Sequence, residues 1–96
     1  MAIIVGLCTI DLQLPESGSL KTKRQTLRSI LARVRQQFNV SIAEVDHQDS
    51  WQLTTLAMTC VSTDGRYIHG LFERAVHYIA EGPFGVVLLD YETEML

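Results

Sequence analysis

Six of the chain's eight lysines and arginines fall within residues 19–38, SLKTKRQTLRSILARVRQQF, which hold no aspartate or glutamate. The chemistry open to such a stretch is the binding of anions. On a helix with about 100° and 1.5 Å per residue, Lys21, Arg24, Arg28 and Arg35 fall within a sector of roughly 60° spread over about 20 Å of axis. A row of that length suits a phosphodiester backbone better than a single phosphate, because each contact releases a counterion. Gly18-Ser19 would lead into free backbone N–H groups flanked by Lys21, Lys23 and Arg24, a setting that suits a phosphate oxygen. The Walker A spacing GxxxxGK[ST] is absent. Ser19, Lys21, Lys23, Arg24, Arg28 and Arg35 are therefore the expected anion-binding set. Within it Lys23 sits near the edge of the apolar face, where its stem has to snorkel to water.

As helix engineering the stretch is poor. Cations in the first turns oppose the macrodipole, and Lys21/Arg24 and Arg24/Arg28 repel by a few tenths of a kcal/mol each. Something must compensate: either acids such as Glu44, Asp46, Asp90 or Glu92 close onto the stripe, or an external polyanion does. Trp51, Tyr67, Tyr78 and Tyr91 are scattered and no RNP-like string is present, so the expected contact is with backbone and carries no sequence readout.

Other reactive types are present without a constellation. Glu44-Val45-Asp46-His47-Gln48-Asp49 offers oxygen and nitrogen donors, but alternate residues of a strand point to opposite faces, and an ordinary turn explains the run better than a metal. His69, Glu73 and His77 follow one helix flank with neither HExxH nor a third ligand elsewhere. Cys8 and Cys60 lie outside any CxxC pair and read as small buried hydrophobes. The phosphate-cradling arginine that an acylphosphatase needs after its first strand is missing from Leu14-Pro15-Glu16-Ser17-Gly18. No catalytic residue, cofactor or metal is expected.

The elements that must position the cations follow from periodicity. Ile3–Leu14 reads as a strand with Ile4, Cys8, Ile10, Leu12 and Leu14 on one face, ended by Pro15. Ser19 caps a helix whose stripe is Leu20, Leu27, Ile30, Leu31, Val34 and Phe38, closed near Asn39. Val40–Asp46 and Trp51–Thr63 form a hairpin. Asp64 caps a second helix with Ile68, Leu71, Phe72, Ala75, Val76 and Ile79 inward, Gly82-Pro83 stops it, and Phe84–Tyr91 supplies a last strand. The order βαββαβ over residues 1–96 predicts one α+β domain of ferredoxin-like form, a four-stranded antiparallel sheet with two helices on one face. Order is expected throughout except in the tail Glu92–Leu96. Several strands are apolar on both parities, which predicts a homodimer through the open sheet face or edge, or a tail folded over that face. Ninety-six residues with 47% apolar and 20% charged composition suit a folded domain, and the apolar opening MAIIVGLCTI reads as a strand, not a signal peptide. Two cysteines too widely separated for a disulfide framework fit a reducing cytoplasm as the expected location, and no run is long enough to span a bilayer.

LQLP, SLKTKRQTLRSILARVRQQFNVSIAEVD and HQDSWQ, in that order, closely resemble the YlxP-like family of small bacterial proteins of unknown function, over essentially the whole chain. The resemblance implies the same fold and supplies no catalytic residues. Relatives are often encoded beside transcription and translation factors, which implies a place near RNA or the ribosome. The family's basic motif falls on Ser19, Lys21, Lys23 and Arg24, and where many relatives carry an acid this chain has Thr22. The expected function is a non-enzymatic accessory protein that binds RNA or a ribosomal particle through its first helix. The alternative is a homodimeric regulatory module with a small molecule or protein as partner.

Overall fold

Alternation in the first strand decides which side of the sheet becomes the core. In the computed structural model, which describes residues 2–96, β1 (Ile4–Gln13) turns Cys8, Ile10 and Leu12 to one face, where all three are fully buried. α1 (Leu20–Gln37), β2 (Ser41–Asp46), β3 (Leu53–Ser62), α2 (Gly65–Glu81) and β4 (Val87–Met95) follow. The strands lie in the order β2-β3-β1-β4, every neighbour antiparallel, and both helices cover the Cys8/Ile10/Leu12 face. This is the ferredoxin-like α+β fold.

Each helix forms for the reason its sequence suggests. Asp64 accepts from the N–H groups of Arg66 and Tyr67, and Ile68, Leu71, Phe72, Ala75, Val76 and Ile79 are the buried residues of α2. Ser19 caps α1 by accepting from Thr22 N–H at 3.0 Å, and Leu27, Ile30 and Val34 enter the core. They meet Ile42, Leu56 and Met58 of β2 and β3 there.

Strand ends depart from expectation at β4, which starts at Val87 and runs to Met95. Phe84 packs edge-on to Tyr78, 5.9 Å between ring centroids, and Gly85 has φ +68°, so residues 82–86 form the turn that delays the strand. The tail Glu92–Leu96, expected to lack order, is paired strand, and Leu96 N–H donates to Val5 O at 2.8 Å. It therefore continues the sheet edge and does not fold across the open face. That face carries Val5 opposite Val61 on the two central strands, and Asp90, Glu92 and Glu94 along β4. A bulge at Leu89 separates the Asp11–Asp90 and Leu12–Leu88 pairings.

Candidate nucleic-acid interface

Position 23 lies four residues before Leu27, seven before Ile30 and eleven before Val34, so on a 3.6-residue period it shares their stripe. The structure puts it there. Lys23 is fully buried, its Nζ 3.0 Å from Glu44 Oε2 and donating also to His47 O. Thr54, itself buried, donates to the same Glu44 oxygen at 2.7 Å. The expectation that Lys23 snorkels to the anion-binding flank is thus corrected: Glu44 neutralises it inside the fold. His47 holds a left-handed φ of 61° that turns its carbonyl toward both Lys23 and Ser50 N–H. The network pins the β2–β3 hairpin to the first turns of α1. Ser19 is likewise committed, its hydroxyl accepting from Thr22 N–H and donating to Thr22 Oγ1 at 3.0 Å.

The remaining cations stay outward. Lys21, Arg24 and Arg28 are exposed, and among the described residues no carboxylate lies within 4.0 Å of them. Arg35, at the far end of the flank, donates to Ile42 O at 2.8 Å while its other N–H groups remain available. Arg33 sits apart, with its guanidinium carbon 5.7 Å from the centroid of Phe84. The other two basic residues, Arg66 and Arg74, lie on α2. All eight lysines and arginines therefore stand on the helical layer, which carries only Glu73 and Glu81 as acids within its two helices. The four strands hold no lysine or arginine. Folding has converted a lopsided sequence into a two-sided molecule, cationic over the helices and acidic over the sheet.

Among the described residues no three His, Cys, Asp or Glu side chains gather as a metal site. The hairpin carboxylates diverge, because Glu44 turns in to Lys23 while Asp46 accepts from His47 N–H at 2.7 Å. His69 Nε2 meets Glu73 Oε1 at 3.2 Å on the surface of α2. Cys8 and Cys60 are free thiols on adjacent central strands, and burial pushes both thiols' pKa values up, the Thr93 hydroxyl opposite Cys8 offsetting a part. Thr93 Oγ1 is buried with no hydrogen-bond partner within reach among the described residues, so burial dominates at Cys8. The raised pKa values favour the protonated thiol at both sulfurs, Cys8 buried and Cys60 half-buried. Among the described residues no helix is long and apolar enough to cross a membrane.

One feature escaped the sequence and another was legible in part, since Glu44 was among the acids expected to close onto the stripe but Lys23 was not singled out as its partner. Arg35's reach to Ile42 O, which covers the exposed edge of β2, has no signature beyond an arginine near a helix end. The Lys23–Glu44 pairing does leave a trace, a lysine in register with an apolar stripe and a glutamate in a strand.

Residues 5–93 match the family described as "Protein of unknown function (DUF503)". The chain is 35% identical over 80 residues to "Uncharacterized protein YlxP" of Bacillus subtilis (strain 168), covering 83% of this chain and 87% of that one. Among solved structures it is similar to "De novo designed protein Foldit4", with a TM-score of 0.56, 17% identity, and 99% and 97% of the two chains covered. That likeness concerns the fold alone.

Proposed function

We propose that this chain, which belongs to the DUF503 family of proteins of unknown function, binds the phosphate backbone of RNA, free or within a ribosomal particle, through the exposed flank of α1. Lys21, Arg24 and Arg28 bear the contacts, and Arg35 extends the row. One observation carries the reading: these cations share a flank of one helix, and among the described residues no carboxylate lies within 4.0 Å to neutralise them. The acids over the sheet add direction, since a polyanion drawn to the helices is repelled from the opposite face.

Titration of fluorescent single-stranded RNA at several salt concentrations tests it. Arg24→Gln/Arg28→Gln should weaken binding and lower the log–log salt slope by about 0.7 per contact, roughly 1.4 for the pair. An affinity and slope equal to those of the unaltered chain would refute the platform.

A second reading, a homodimeric module, has its own observation. Val5 and Val61 face each other across the central strands, 37% and 66% exposed, on a face that no helix covers. Packing two such faces together would bury them. Sedimentation equilibrium should then show a dimer that Val61→Lys weakens by about tenfold or more. A parent chain that stays monomeric at high micromolar concentration removes this reading.

A further inference from the structure

The two edges of the sheet are finished differently. β2 is six residues long, interrupted by a register shift between Glu44 and Asp46, and Arg35 occupies the carbonyl of Ile42. β4 is nine residues long, and beyond its bulge at Leu89 it runs regularly from Asp90 to Met95. Because Leu96 N–H donates to Val5 O, the antiparallel pattern turns the backbone groups of Asp90, Glu92 and Glu94 toward β1. Those of Tyr91, Thr93 and Met95 then point away from the sheet, ready to pair with another strand.

Beside this edge, between β4 and α2, runs an open groove of about 660 Å³. Val76 and Ala80 of α2 and Leu88 and Tyr91 of β4 give it apolar walls, and Glu73, Arg74, His77 and Glu81 of α2 also line it, so the acidic row that selects a cation is the one on the open face of β4. An edge strand beside a helix-walled groove is the geometry in which an extended segment adds as a strand and places alternate side chains against the helix. Its other side chains would lie on the open face, next to Asp90, Glu92 and Glu94, where cations pair favourably and acids are repelled.

We propose that the β4 edge and the adjoining groove dock an extended segment of a protein partner as a fifth strand, with apolar residues facing α2 alternating with basic residues facing Asp90, Glu92 and Glu94. A second copy of this chain does not fit, since none of its four strands contains a lysine or arginine and β4 against β4 would align acids. RNA is repelled by the same carboxylates. This surface is separate from the α1 flank and stands whether or not that flank binds RNA.

The probe is a blocked nonapeptide of alternating valine and lysine, added to the isotope-labelled full chain while amide hydrogen exchange is followed by NMR. Saturating peptide should slow exchange at Tyr91, Thr93 and Met95 by about tenfold or more, and leave the β2 amides unchanged. The counterpart with glutamate for lysine should bind about tenfold more weakly, and Glu92→Lys/Glu94→Lys should reverse that order. The comparison of the two peptides on the unaltered chain needs no variant to fold. The idea fails if the lysine peptide leaves those three amides unprotected, or if the glutamate peptide binds equally well. It fails also if the amides are protected without peptide and lose protection on dilution, which would mean that a second copy holds the edge.

Discussion

Lys23→Met is expected to lower the folding free energy by about 3 kcal/mol, and adding Glu44→Leu to recover most of that loss. A buried ion pair contributes little over an apolar replacement of both partners, but removing one partner strands the other. In Lys23→Met the Glu44 carboxylate keeps only the Thr54 hydroxyl, 2.7 Å away. Its side chain is 19% exposed, so some rehydration is open to it and the lower end of the usual range applies. The double variant strands Thr54 instead, a neutral group whose unpaired hydroxyl costs about 1 kcal/mol. Thr54→Val on that background should therefore recover the remainder. Urea titration with an unchanged m-value measures all three. A loss for Lys23→Met below about 0.5 kcal/mol, within the range of an ordinary surface change, would put Lys23 back in solvent and return it to the cationic flank.

The same residue shows where reading from sequence stops. Both helix stripes, both N-caps and the order of elements along the chain were legible, because Leu27, Ile30, Val34 and the α2 series obey one period and Ser19 and Asp64 stand where caps stand. The cationic flank was legible for the same reason. Lys23 was misplaced because its partner is twenty-one residues on, and a pairing across that distance depends on which face of β2 Glu44 takes. A one-residue register shift would have reversed the choice. The end of β4 was missed differently: residues 92–96 were expected to lack order, whereas the alternation of Glu92 and Glu94 with Tyr91, Thr93 and Met95 is that of an edge strand with one wet face.

The charge distribution joins the two proposed surfaces physically. Polyanion contacts want cations held clear of the molecule's own acids, and the helical layer supplies that separation because only Lys23 is drawn inward. A basic strand wants acids clear of cations, and β4 supplies those on the opposite side of the sheet. An RNA and a basic segment of a protein could then be held at once without competing for the same carboxylates.

Gly6→Val is expected to destabilise the fold by about 3 kcal/mol, although a strand glycine replaced by a β-branched residue would ordinarily gain up to about 1 kcal/mol. The sign is set by α2. A Cβ at Gly6 would collide with Ile68 Cγ2 and come 2.9 Å from Phe72 Cε2, well inside contact distance. Both neighbours are fully buried, so neither can swing into solvent. The helix must lift or the strand must bend, and lifting α2 also opens the groove beside β4. Gly6→Ala should cost less, about 2 kcal/mol, because alanine adds only the Cβ. Ile68→Ala alone should cost about 3 kcal/mol for its cavity. Combined with Gly6→Ala it should cost less than the sum by about 1–2 kcal/mol, since the added methyl occupies space that the isoleucine vacates. Thermal or urea unfolding of the four chains completes the cycle. A Gly6→Val chain as stable as the parent, or strictly additive losses in the double variant, would mean that α2 does not rest on β1 at this glycine.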